Sequence, residues 1–335
     1  MVYAVTSNKL CLRLQGKLCV AEIGNLLKNV QIRNLEVNGL QLKEQGNLES
    51  LDFVDCDLPS IYINTICNSL KMNVIKTFSI KRSSLFYTGV GLSGFVPLPH
   101  YLESFLMSSR SLTTLIFSNN NKDLYYTSVR LMLETLLEAE SGLQVLDLSG
   151  NNVCLFLSYF RYDSGNFIYP SNKRQISLRV LNLRATDLQE YDINNLSHSM
   201  IHMPYIKVLN LSDNDMLQDK GIEMLIPYLV EKSISYTPLA ELYLENCRMS
   251  HNGARKLFTA LSTLRAPLKF LSIAKNRLCL ENSEFGKYLG EFLCSGIQAI
   301  DVREVGLGSC GFQGAEREIH GELSLGRYYD KGSTL

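Results

Sequence analysis

The sequence predicts an α/β solenoid, in which short parallel strands line one wall of a curved slab and helices stack on the other. Three observations predict it. An apolar frame, L-x-x-L-x-L-x-x-N/C/T/V-x-L, begins at Leu143, Leu178, Ile206, Leu239, Leu268 and Ile297, at intervals of 35, 28, 33, 29 and 29 residues. Self-similarity at a near-constant period marks an array whose units stack because none can bury its apolar face alone. Inside each frame the residues alternate as in a strand, and between frames apolar residues recur at helical spacing.

The frame at Leu143 shows the strand logic. Leu143, Leu146, Leu148 and Val153 are expected to point inward, and Val145, Asp147 and Ser149 to the opposite side. The Asn that follows (Asn151, Asn214, Asn276) is expected to turn the chain and satisfy buried main-chain groups, with stacked Asn side chains serving each other's turns. The segments Gly221–Leu229, Gly253–Leu261 and Phe285–Leu293 carry the amphipathic stripe of a helix. Asp219 and Ser250 stand where N-caps are expected for the first two.

Weaker copies extend the array toward the N-terminus. They read Leu48, Leu51, Phe53, Cys56, Leu58; then Ile75, Phe78, Ile80, Ser83, Leu85; then Leu112, Leu115, Phe117, Asn120, followed by a helix over 126–138. Ile32, Leu35 and Val37 read as a degenerate strand, too close to the next for a full repeat. The domain reading is residues 1–31 as a cap or degenerate repeat, 32–307 as an array of about nine repeats, and 308–335 as a cap or tail. Insertions at 88–100 and 154–177 break the period; the second is rich in aromatic residues (Phe156, Tyr159, Phe160, Tyr162, Phe167, Tyr169). The second reads as a degenerate helix whose aromatic residues fill the space of missing leucines, with a projecting binding loop as the other reading.

Composition limits the function classes. The chain has 335 residues, 46% of them hydrophobic, and 33 Lys plus Arg balance 33 Asp plus Glu. Without clustered positive charge, neither nucleic acid nor an anionic membrane is an expected partner. Nine cysteines, an odd number without a C-x-x-C, fit reduced thiols in a cytoplasmic or nuclear protein. The N-terminus shows no signal-peptide pattern, and no run of about 18 apolar residues predicts a membrane span.

These residues resemble the leucine-rich repeat family, and the period near 28–29 with a helix opened by Gly is similar to its ribonuclease-inhibitor-like subclass. The resemblance is specific from Leu143 to Leu307 and weaker over 47–142. It implies a curved horseshoe with parallel strands on the concave face, and a scaffold that binds other proteins there. Two departures stand out: repeat lengths run from 27 to 37, and the consensus Asn or Cys is Thr186 in one repeat and Val305 in another.

Motifs for chemistry are sparse. Gly89-x-Gly91-x-x-Gly94 matches a dinucleotide fingerprint, but Phe95-Val-Pro97-Leu-Pro99 follows where a helix must begin, so it reads as a loop. His198 and His202 have i, i+4 spacing, and Cys247 and His251 lie four apart, yet no further ligand set joins either pair, and no metal is expected. Cys56 and Cys247 occupy the consensus Asn position, where a small thiol packs in the turn. No cofactor, small-molecule substrate or enzymatic activity is expected.

The outward strand positions are the better candidate: Asp147, Ser149, Asn182, Arg184, Asn210, Ser212, Glu241, Tyr243, Glu245, Phe270, Asp301 and Arg303. Strands about 4.8 Å apart bring Tyr243 and Phe270 together, rimmed by Glu241, Glu245, Asp301 and Arg303, with Arg184 and Asp213 flanking. Aromatic residues inside a charged rim match the makeup of an interface hot spot. The expected function is a non-enzymatic scaffold that binds a protein partner on the concave face. Two alternatives are a substrate-recognition subunit of a ubiquitin ligase and a small-GTPase regulator resembling Ran GTPase-activating proteins. The first needs an adaptor-binding helix, which the first 30 residues do not show, and the second an acidic tail, which GRYYDKGSTL is not.

Overall fold

The computed structural model describes residues 2–6, 9–16, 35–37, 40–42, 48–56, 75–82, 100–120, 142–151, 177–200, 203–235, 237–276 and 283–306, with Cys67, Thr135 and Leu278. The GxGxxG stretch, both insertions short of their last residues, His202, the His198 side chain, all of the 126–138 helix but Thr135, and the tail lie outside these residues. The chain divides into two compact units, Met1–Phe156 with Ile168–Leu178, and Leu157–Phe167 with Arg179–Leu335.

In the first unit, β1 (Val2–Thr6) and β2 (Lys9–Gly16) pair antiparallel. Next come β3 (Leu35–Val37) and β4 (Leu40–Leu42), which form their own antiparallel pair. The parallel ladder runs from β2 to β5 (Leu48–Cys56), then β6 (Thr77–Lys81), β7 (Thr114–Ser118) and β8 (Val145–Asp147). The strand expected at 32–37 is therefore half of a hairpin, and β2 takes the place beside β5. Asn38-Gly39 stands between β3 and β4, and that dipeptide is the strongest short signal for a two-residue hairpin. Phenylalanine joins leucine in this unit's core: the Phe78 ring lies 6.3 Å from Phe53, 5.3 Å from Phe105 of α1 (His100–Ser108) and 6.1 Å from Phe117, all edge-on.

The second unit alternates strand and helix: β9 (Val180–Asn182), α2 (Glu190–Met200), β10 (Val208–Asn210), α3 (Gln218–Ser233), β11 (Glu241–Tyr243), α4 (His251–Ser262), β12 (Phe270–Ser272), α5 (Ser283–Leu293) and β13 (Ala299–Asp301). The strands are parallel and in register, so Leu181, Leu209, Leu242, Leu271 and Ile300 form one buried row. The helices pack side by side in chain order. Both units are built as an α/β solenoid.

The turn after each strand is the repeated device. Arg82, Asn119, Gly150, Ala185, Asp213, Asn246, Lys275 and Glu304 hold the same frame position, and all are left-handed, with φ between 48° and 70°. Only glycine adopts that conformation without steric cost. The backbone accepts the strain because the reversal aims each N–H at the next coil. Ala185 N–H donates to Ser212 O at 2.9 Å, Asp213 to Glu245 O at 2.7 Å and Asn246 to Ala274 O at 2.9 Å.

The consensus Asn completes the joint. Asn276 Nδ2 donates to Leu244 O (2.7 Å) and Ile273 O (2.8 Å), and its Oδ1 accepts from Cys247 N (3.0 Å) and Met249 N (3.1 Å). Asn214 serves Leu183, Leu211, Thr186 and Leu188 in the same way. Each Asn thus pairs main-chain groups of its own coil and the preceding one, as expected of stacked turns: Asn151 Oδ1 accepts even from the main-chain N–H of Asn120, the equivalent residue one coil earlier. Thr186 and Cys247 point their Oγ1 and Sγ at carbonyls in the same turns.

Two sequence expectations shift by local geometry. Asp219 is not an N-cap: α3 starts at Gln218, and the Asp219 carboxylate reaches the next coil, accepting from Ser250 N (2.7 Å) and Ser250 Oγ (2.5 Å). Ser250 does cap α4, its Oγ accepting from Asn252 N at 3.1 Å. Gly253 makes room for that tie, because a Cβ there would sit 2.3 Å from Asp219 Oδ1. In the Ile206 frame the last apolar place falls to Leu217, buried, while Met216 is 47% exposed. That coil carries one extra residue, and Gln218 (φ 50°) absorbs it.

Asn276→Ala leaves two buried N–H groups and two carbonyls short of a partner, and should cost about 2–4 kcal/mol of stability in a denaturant titration. Asp192 gives a second expectation. It is fully buried, its Oδ2 accepts from Gln189 N, and its Oδ1 has no partner among the described residues. Burial raises its pKa from 3.8 to about 6, against the lowering effect of the Gln189 bond. The folded state therefore holds this proton more tightly than the unfolded chain, and the associated stability is lost as pH rises through about 6. Asp192→Asn keeps the acceptor and should raise stability by about 1–3 kcal/mol at pH 7.5, an advantage that melts at pH 4 should no longer show.

Candidate functional site

The face of the second unit's strands away from its helices is built from two registered rows. Val180, Val208, Glu241, Phe270 and Ala299 form one, and Asn182, Asn210, Tyr243, Ser272 and Asp301 the other. Alternation along each strand puts them opposite the buried leucines. Arg184, Ser212, Glu245 and Arg303 follow in the turns, so the candidate residues of five consecutive coils converge on one surface.

Tyr243 and Phe270 meet across this face, but not as equivalent positions. Phe270 is in register with Glu241, and Tyr243 with Ser272. The rings approach along the diagonal, centroids 5.1 Å apart and planes tilted by 45°. Small neighbours permit the lean: Ser272 lies across from Tyr243, and Ala299 across from Phe270. Both rings are half-buried. The Tyr243 hydroxyl donates to Glu241 Oε2 at 2.8 Å. Burial, that bond and the charges of Glu241 and Glu245 push its pKa up to about 12, so it stays a donor.

The charged residues sort into pairs. Arg184 Nε lies 2.6 Å from Asp213 Oδ2, and its other arm 3.7 Å from Glu245 Oε2. Glu245 also accepts from Ser272 Oγ at 2.9 Å, and its own N–H donates to Ser212 Oγ at 3.1 Å. Arg303 folds back on Asp301 in the same coil, with Nη2 2.6 Å from Oδ2 and Nε bonding both carboxylate oxygens. Although burial opposes it, the Arg303 fork holds the Asp301 carboxyl below the usual range, and the pairing raises Arg303 further. Asp301 is thereby covered and Arg303 exposed, where the alternation has both facing outward. Ser212, read as outward, is fully buried as a bond acceptor. Ser272 was missed: its place in the row opposite Tyr243 is readable from the frame, but its polar reach to Glu245 is a cross-coil contact.

Other sequence candidates lie elsewhere. Cys247 is fully buried, its Sγ against Leu211 O and Glu245 O, and burial pushes its thiol up to about 12; His251 begins α4 on the exposed side. An open hollow of about 790 Å³ runs along the turns, lined by Asp187, Asp213, Asp215, Arg248, Met249 and Lys275 among others. Its charges largely close on themselves, Arg248 pairing with Asp215 at 2.8 Å and Asp213 with Arg184. Without an aromatic anchor it is the weaker binding surface.

A leucine-rich repeat family model matches residues 202–225, which take in β10 and the first half of α3. The parallel ladders agree with that match. The chain fits a leucine-rich repeat protein. No curated protein matches it. No helix among the described residues is long and apolar enough to cross a membrane.

Proposed function

We propose that this chain is a non-enzymatic scaffold for protein–protein interaction, which takes its partner on the strand face of the second unit at Tyr243 and Phe270. The observation that carries the reading is the tilted aromatic pair, half-buried on an ordered sheet and ringed by paired charges. Strands hold both rings by main-chain ladders and pack their other faces into the core, so little freedom is lost when a partner arrives. Arg184, Asp213, Glu241, Glu245, Asp301 and Arg303 form the polar rim, which screens the centre from water and fixes register. The repeat match supports this class of function in general. Helix-bearing repeats of 28–33 residues support the ribonuclease-inhibitor-like subclass. Cys67, Cys247 and Cys294 stand outside any disulfide, which supports a reducing, cytoplasmic or nuclear setting.

The test is affinity capture with quantitative mass spectrometry on three baits: the parent, Tyr243→Ala/Phe270→Ala, and Met216→Ala/Met224→Ala, which alters exposed methionines away from the pair. A specific partner should be depleted about tenfold or more on the aromatic double variant and retained on the methionine control. Equal recovery on parent and aromatic variant, with matching melts, would reject the site.

A further inference from the structure

We infer that the partner presents an arginine side chain to this face, its guanidinium stacked on the Tyr243 and Phe270 rings and forked onto the Glu241 carboxylate. The inference rests on the reading that this face binds protein, and adds the chemistry of the contact. It follows from a charge left over. Four carboxylates, Asp213, Glu241, Glu245 and Asp301, share the surface with two guanidinium groups, Arg184 and Arg303. Arg303 is committed to Asp301 at 2.6 Å, and Arg184 to Asp213 at 2.6 Å, with Glu245 at 3.7 Å. Among the described residues, Glu241 is met only by the neutral Tyr243 hydroxyl. Lys207 and Lys269, exposed at the strand starts, make no ion pair with it.

This lone carboxylate lies in register with Phe270 and is bonded to Tyr243, so the unpaired charge sits beside the aromatic pair. An aromatic face attracts a cation through its quadrupole, and the attraction grows as water is excluded. Arginine suits the seat better than lysine. Its plane can stack on a ring while its edge donates two parallel bonds to a carboxylate, and it is more weakly hydrated than an ammonium group. An acidic segment or a nucleic-acid phosphate would meet Glu241 and Glu245 as like charges.

The experiment is selection of random dodecapeptides displayed on phage against the immobilised full chain, counter-selected on Tyr243→Ala/Phe270→Ala. Peptides lost on the double variant should be enriched in arginine about threefold or more over the unselected library, with lysine enriched less. Glu241→Gln keeps the acceptor for Tyr243, and should weaken a selected arginine peptide about tenfold, while Glu241→Lys should turn the selection toward Asp and Glu. If Glu241→Lys melts below the parent, Glu241→Gln alone decides. Peptides that need Tyr243 and Phe270 but show no arginine excess, or that bind Glu241→Gln as well as the parent, overturn the arginine seat and leave the face standing. A selection that returns nothing sensitive to the aromatic double variant overturns the seat and the binding face together.

Discussion

Everything in these repeats depends on pairing the main-chain groups buried where one coil turns against the next. A turn stacked between two others cannot reach water, and an unmade bond there costs more than a made one returns. Two devices solve this together. A left-handed residue aims its N–H at the next coil, and a side chain from the following position gathers the carbonyls and N–H groups left over. The conformational strain of Asp213, Asn246 or Lys275 in that position is modest beside the orphaned groups it prevents.

The same joint creates the surface. Because it locks the strands into exact succession, side chains two residues apart in register terms become neighbours across coils. Strands only three residues long leave each side chain one step from a turn, so small residues decide what leans where. Ser272 and Ala299 leave the space into which the Tyr243–Phe270 diagonal fits. Charges are allotted by reach: Arg303 finds Asp301 two residues away in its own coil, Arg184 finds Asp213 across the joint, and Glu241 is left with a hydroxyl.

The repeat was legible because burial demands periodicity, and periodicity survives in a single sequence. The row of Leu181, Leu209, Leu242, Leu271 and Ile300 follows directly from it. Departures came where one residue could satisfy either of two roles. Asp219 has the chemistry of an N-cap, but spends its carboxylate on Ser250 of the next coil. Met216 and Leu217 are both apolar, and only the extra residue taken up at Gln218 decides which is buried. The strand at Leu35–Val37 has strand composition, yet composition does not name its neighbour, which is β4.

Alone, the sequence determined the α/β repeat, the positions that must be apolar, the turn that needs an Asn, and the convergence of Tyr243 and Phe270. These follow from spacing, since hydrophobic burial acts on every coil alike and writes the same pattern each time. The tertiary structure decided the diagonal tilt of the two rings, the withdrawal of Asp301 under Arg303, and the charge that stays unpaired at Glu241. Those outcomes turn on contacts of a few ångströms between residues from two to nearly thirty positions apart, where rotamer and reach choose among partners that a periodic pattern leaves equivalent.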